Sequence, residues 1–191
     1  MTKATKAHYE VLKHILRYLA GVKKLRLTWC ASAALKERFK LFQIYSFAVT
    51  SWTDDKNSRK STCCYLVFVH NAAFSWRSFM SPIVAMSTSE AELIAACAQE
   101  IQFCRKLAVE LGFRRYAPTP LFEDNTGCIA LAEHGHFAGR SENIHQQRMF
   151  ISEFIRDGIL KLHQVPTTQQ VADIGTKALP WPLFYIVFGL A

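Results

Sequence analysis

Between Met86 and Gly112 the residues Ile94, Cys97, Ile101, Cys104, Ala108 and Leu111 recur at spacings of three, four, three, four and three. That period is the buried stripe of an amphipathic α-helix, and it commits the middle of the chain to one long helix ending at Gly112. Ser87 followed three residues later by Glu90 reads as a capping box, each side chain meeting a free backbone N–H of the first turn. Glu92 lies off the stripe, so core packing does not explain it.

The rest of the chain arranges itself around this helix. Tyr9, Leu12, Ile15, Leu16 and Leu19 share one helical face, Lys6, Lys13 and Arg17 lie elsewhere on the surface, and Gly21 supplies a stop. A short strand is expected at Leu25–Trp29, then a polar boundary at Ser32–Arg38 and a long strand at Phe39–Trp52. Asp54–Ser58 carries turn chemistry, and Tyr65–Val69 and Ala72–Trp76 read as strands joined through His70-Asn71, which makes an antiparallel meander. After the long helix come a brief strand Leu121–Glu123, a helix Asn125–Glu133, and a loop around Gly135–Gly139. A helix Asn143–Arg156 with Ile151, Phe154 and Ile155 inward and a last strand Leu160–Val165 complete the run. Thr167 with Gln170 reads as a second capping box, for a short helix bearing Asp173. This order suits an α/β domain with a mixed five-stranded sheet, helices packed on it and an amphipathic helix in front.

Charge divides the chain unevenly. Residues 1–43 hold ten Lys/Arg against two acids, and residues 44–191 hold thirteen against thirteen, so the whole excess of +8 is N-terminal. Such a segment suits a polyanion such as nucleic acid, or equally a solvated helix face. The six cysteines, Cys30, Cys63, Cys64, Cys97, Cys104 and Cys128, form no CxxC pair and have no histidine at zinc spacing. With no signal peptide, they are expected to be reduced thiols of an intracellular protein, cytoplasmic or nuclear. The apolar run Leu183–Ala191 falls far short of the roughly 20 residues that cross a bilayer, so no membrane partner is expected.

Three acids stand out by position: Glu92 in the second turn of the long helix, Asp124 at a strand end and Asp173 in the first turns of the last helix. Carboxylates gathered at strand ends suit Mg²⁺, which takes hard oxygen ligands. Each also has a purely structural reading. Asp124 serves equally as an N-cap, and Glu92 and Asp173 as charges favouring helix N-termini.

Ser87-Thr-Ser-Glu-Ala-Glu-Leu-Ile-Ala95, Glu123-Asp-Asn-Thr-Gly-Cys-Ile-Ala-Leu-Ala132 and Val165-Pro-Thr-Thr-Gln-Gln-Val-Ala-Asp-Ile-Gly-Thr-Lys177 resemble, in order and spacing, the ribonuclease H domain of copia-type retrotransposon polyproteins. Ser51-Trp52, Ser58–Thr62 with Tyr65, Phe74–Ser78 and Pro82–Met86 extend the resemblance, and His8–Gly21 resembles the end of the reverse transcriptase that precedes this domain. The resemblance implies a remnant of the reverse transcriptase over residues 1–38, a ribonuclease H-like domain over 39–180 and a tail over 181–191. It also implies hydrolysis of the RNA strand of an RNA–DNA hybrid, with four carboxylates holding two Mg²⁺ or Mn²⁺ ions roughly 4 Å apart. Glu92, Asp124 and Asp173 match three of those four positions. The expected partners are the hybrid or another nucleic acid, and the rest of the polyprotein.

The fourth position breaks the pattern. Where the family has its first catalytic aspartate this chain has Val49, in Phe47-Ala-Val-Thr-Ser-Trp52, and Ser51 replaces a second aspartate. Valine offers no oxygen to a metal. Ser51 shares a strand face with Val49 but is a weak ligand, and Asp55 lies about 20 Å along a straight strand at about 3.3 Å per residue. Other departures are Cys64 for a hairpin glycine, Phe79-Met80 for basic residues, Asn143 and His145 for a histidine and an acid, and Gly175 for an aromatic. The expectation is an impaired or inactive enzyme, or alternatively a noncatalytic module that binds nucleic acid through backbone contacts.

Overall fold

The computed structural model of the chain describes residues 4–23, 44–51, 60–69, 72–81, 86–113, 117–134, 142–177 and 179, with the backbone alone for 86–92, 131, 134 and 142–145. The expected strand at Leu25–Trp29, the boundary at Ser32–Arg38, the turn at Asp54–Ser58, the His70-Asn71 connection, the loop Gly135–Gly139 and the tail from 181 lie outside the described residues. So do the side chains of the Ser87–Glu90 capping box and of Asn143 and His145.

The elements run α1 (Lys6–Gly21), β1 (Ile44–Ser51), β2 (Thr62–Val69), β3 (Ala72–Met80), α2 (Met86–Glu110), β4 (Thr119–Glu123), α3 (Thr126–His134), α4 (Glu142–Arg156) and β5 (Leu160–Gln164). Two 3-10 turns follow, η1 (Thr167–Gln169) and η2 (Val171–Gly175). The five strands form one sheet in the order β3-β2-β1-β4-β5, with β1, β2 and β3 antiparallel and β4 and β5 parallel to β1. This is the mixed five-stranded sheet that the alternation of apolar runs and helices implied.

Period-2 alternation sends successive residues of each strand to opposite faces. Ile44 and Ala48 of β1, Cys63, Tyr65 and Val67 of β2 and Leu121 of β4 join Ile94, Cys97, Ile101 and Cys104 of α2 and Ile151 and Phe154 of α4 in the main core. The stripe of α2 is therefore buried as its spacing requires, with one exception. Leu111 is 61% exposed, because the helix has already ended at Glu110 and a Schellman turn follows. In that turn Phe113 N–H donates to Ala108 O and Gly112 N–H to Val109 O, with Gly112 at φ 86°. α4 closes in the same way at Gly158, φ 66°, so each helix is turned back into the parallel strand that comes next.

The opposite face carries a smaller cluster. Val49 of β1 and Cys64 and Leu66 of β2 pack against Ala172 of η2, flanked by Phe47, Phe68, Val171 and Ile174. Beyond it a row of half-buried rings crosses four strands. Tyr45 stacks on Phe68 at 5.0 Å, Phe47 on Phe122 at 4.9 Å, and His163 adjoins Phe122 at 5.7 Å. The segment from η1 to Lys177 thus lies on the face that α2 and α4 leave uncovered.

The last helix differs from its expected form. Two 3-10 turns replace it, because Gln170 breaks the run in extended conformation and caps η2 by accepting from Ala172 N–H at 3.3 Å. The Thr167 hydroxyl makes no cap and goes elsewhere. Strands β2 and β3 are longer than expected, and β4 starts at Thr119, taking in Pro120.

Candidate active site

The site is built where β1, β4 and the η1–η2 segment converge on the uncovered face. Phe47 of β1 is in register with Phe122 of β4. That parallel register brings the C-terminal ends of β1 and β4 side by side, with Asp124 just past the end of β4. The β4–β5 ladder runs on through Val165 N–H to Glu123 O at 3.0 Å. That extension brings η1 up to Asp124, where the Thr167 hydroxyl donates to Asp124 Oδ2 at 3.1 Å.

Asp124 is not the N-cap of α3. Asn125 takes that role, its Oδ1 accepting from Gly127 N–H at 2.9 Å and Cys128 N–H at 3.3 Å. The structural reading of Asp124 therefore fails, and its carboxylate faces η1.

Asp173 is placed by η2, which is fastened at both ends. Gln170 Nε2 donates to Ala48 O of β1 at 2.9 Å, and Ser78 Oγ of β3 donates to Gly175 O at 2.6 Å. Between these ties Ala172 sits on Val49 and Cys64. Asp173 is buried, and Lys177, one turn further on, brings its Nζ to 2.7 Å from Asp173 Oδ1. The backbone sets up that pair, since Thr176 and Lys177 both donate their N–H groups to Asp173 O.

Val49 itself is 2% exposed, as is Cys64 opposite it across the β1–β2 ladder. The Cys64 thiol is pushed up to about 11, by burial first and by the adjacent Cys63 second. It is a neutral packing group at neutral pH. Ser51, on the same face of β1 as Val49, is buried. Glu92 belongs to the second turn of α2, which packs on β1 and β2. Its side chain is outside the described set.

Sequence reasoning passed over one carboxylate. Glu123, next to Asp124, is 2% exposed and points to the helix-covered face, its Oε1 accepting from Asn125 N–H at 3.4 Å. The Cys97 thiol near it is driven upward by burial, a shift that Glu123 adds to and a Ser46 hydrogen bond opposes. Strand alternation carried the signal: Glu123 has the parity of Leu121, a core residue.

A pair of divalent cations needs several hard oxygen donors. Among the described residues no group of three or more His, Cys, Asp or Glu could hold an ion. The described donors, Asp124 and Asp173, each already accept from an internal partner, and Val49 adds none. They do not fit a two-ion site.

No protein-family model matches the chain. It is 30% identical over 181 residues to the retrovirus-related Pol polyprotein from transposon RE1 of Arabidopsis thaliana, covering 94% of this chain and 12% of that one. It is 29% identical over 177 residues to the corresponding polyprotein from transposon TNT 1-94 of Nicotiana tabacum, covering 92% and 13%. The chain is a homologue of copia-type retrotransposon Pol polyproteins. It spans 12 to 13% of the length of these two Pol relatives. Among solved structures, LC11-RNase H1, isolated from compost by a metagenomic approach, superposes with a TM-score of 0.53 at 10% identity, covering 71% of this chain and 93% of that one. The same protein in complex with an RNA/DNA hybrid gives 0.51 at 10% identity, covering 69% and 92%. The Pol homologue thus has the ribonuclease H fold. Among its described residues, no helix is long and apolar enough to cross a membrane.

Proposed function

We propose that this chain is a ribonuclease H-type domain of a retrotransposon polyprotein whose hydrolysis of RNA in RNA–DNA hybrids is impaired or lost at Val49. The reading takes residues 1–38 as a remnant of the preceding reverse transcriptase, 39–180 as the domain, and an intracellular setting. Glu92, Asp124 and Asp173 are its catalytic and metal-binding candidates, for Mg²⁺ or Mn²⁺. One observation carries the impairment. Val49, at the position where the fourth carboxylate is expected, is almost fully buried and packed on Cys64, Leu66 and Ala172, so the side chain there is apolar and closed to solvent.

An oxygen donor at residue 49 would have to be desolvated within that cluster, which costs several kcal/mol unless a cation offsets it. Val49→Asp is therefore expected to melt at a lower temperature in EDTA and to recover in Mg²⁺ or Mn²⁺.

Cleavage of a labelled RNA–DNA hybrid tests the function. The native chain is expected to be inert, Val49→Asp to cut, and Val49→Asp with Asp124→Asn to be inert again. Cutting by the native chain that Asp124→Asn abolishes would sink the claim about Val49. Binding without cutting in all three would favour the noncatalytic nucleic-acid module. The excess positive charge of residues 1–43 supports that second reading.

A further inference from the structure

We infer that α1 seats on anionic lipid bilayers, lying flat in the headgroup layer with its apolar face toward the acyl chains and a row of cations on the lipid phosphates and carboxylates. The inference goes beyond the proposed function and does not rest on it.

The apolar face of α1 has no use inside the described molecule. Leu12, Ile15, Leu16 and Leu19 line it, with Tyr9 at one edge and Tyr18 at the other. These six side chains are between 40% and 60% exposed, and no residue of the helix is buried. A helix of 16 residues without tertiary packing is marginal in water. It therefore draws stability from whatever covers that face.

The polar side indicates the kind of surface. Lys6, Lys13 and Arg17, spaced seven and four apart, fall on one row of the helix. Lys13 Nζ stands 5.0 Å from the centroid of the Tyr9 ring, so this row borders the apolar face. Cationic side chains placed there lay their stems along the apolar surface and keep their heads among headgroups, the level that tyrosine rings also favour. Residues 1–26 hold seven Lys/Arg against one acid, Glu10, which Lys13 meets at 2.6 Å. An apolar face with a cationic border is what holds a helix in the plane of an anionic membrane. The shortness of the apolar runs argued against a membrane partner, but it bears on crossing alone. Among the described residues no helix can cross, and a helix at the surface need not.

Two other occupants use less of the helix. A nucleic acid meets the cations and leaves the apolar face in water. The α1 of a second copy would cover that face, but 16 residues make little more than two heptads, short of the roughly three or four that sustain a coiled coil.

The test uses the whole chain, co-floated with vesicles of phosphatidylcholine and phosphatidylserine in equal parts or of phosphatidylcholine alone, with helix content followed by circular dichroism. The native chain is expected to float with the mixed vesicles, to gain helix on binding, and to bind phosphatidylcholine alone about tenfold more weakly or worse. The triple variant Lys6→Gln, Lys13→Gln, Arg17→Gln should lose that preference. The pair Leu12→Gln, Leu16→Gln should lose binding and the helix gain although every cation remains. Both variants should keep the native melting midpoint, since α1 packs on nothing in the domain. A lowered midpoint in the leucine pair would place the face inside the molecule and overturn the inference. So would vesicle binding that the leucine pair leaves intact, which is adsorption by charge alone, or a vesicle-free dimer in sedimentation equilibrium that the same pair dissolves. A chain that ignores the mixed vesicles yet binds RNA–DNA hybrid through Lys6, Lys13 and Arg17 would hand the segment to nucleic acid instead. Hybrid cleavage by Val49→Asp tests the proposed function separately, so either idea can fail while the other stands.

Discussion

A Cβ built on Gly175 would overlap the Sγ of Cys64 and stand 2.9 Å from its Cβ, so residue 175 has room only for glycine while residue 64 is cysteine. Both residues depart from the family pattern, one gaining bulk and the other losing it. Packed against each other, they fill one space. Overpacking a closed site costs about 1–3 kcal/mol, so Gly175→Ala is expected to lower the unfolding free energy measured in urea by that amount. In a Cys64→Gly background the same substitution should cost almost nothing. A double-mutant cycle reads the difference directly, and additivity would refute the contact. The two residues were each visible as departures in the sequence, but their contact was not, because it joins β2 to η2 and no local spacing reports it. Asp124 was likewise visible as a candidate. That Asn125 and not Asp124 caps α3 depends on which of two adjacent short polar side chains turns back onto the helix, and composition does not decide that.

Elements declared themselves where their periodicity ran long. The stripe of α2, the inward face of α4 and the three-strand meander all follow from patterns of 3.6 or 2. The segment bearing Asp173 did not. Its capping-box spelling promised a helix, but Gln170 Nε2 is drawn off to Ala48 O and Thr167 to Asp124, tertiary bonds that split the run into two tight turns. Arg105 is another case. From the outer side of α2 its guanidinium donates to Ala117 O and Thr119 Oγ1 at 3.0 Å each and to Ile159 O at 3.3 Å. One side chain thereby holds the end of α2 to the start of β4 and to the approach to β5. Replacing it removes all three bonds, although Ile159 O keeps the Thr119 N–H at 2.8 Å, and hydrogen bonds to charged groups contribute about 1.5–3 kcal/mol. Because Arg105 is only half-buried, Arg105→Met is expected to cost nearer the lower figure, measured by chemical denaturation. A midpoint equal to that of the native chain would mean the clamp holds nothing.

At the scale of the molecule, α1 stands apart from the sheet. None of its residues is buried, and Tyr9, Leu12, Ile15 and Leu16 are each about half exposed. A chain lacking residues 1–23 should therefore keep its stability to within about 0.5 kcal/mol. It should also bind hybrid with a shallower salt dependence, since five of the ten Lys/Arg in residues 1–43 go with that segment. A large drop in stability would show that the helix packs on the domain. The ties from Gln170 to β1 and from Ser78 to Gly175 also bear on the order in which the protein can be made. All five described strands have left the ribosome before residue 170, yet among the described residues the cover on Val49, Cys64 and Leu66 comes from the turns that arrive last. Contacts that span most of a chain close late. A copy of the gene stopped shortly before that point would yield every described strand and α-helix and still leave that apolar cluster without its η2 cover, the condition under which incomplete chains aggregate.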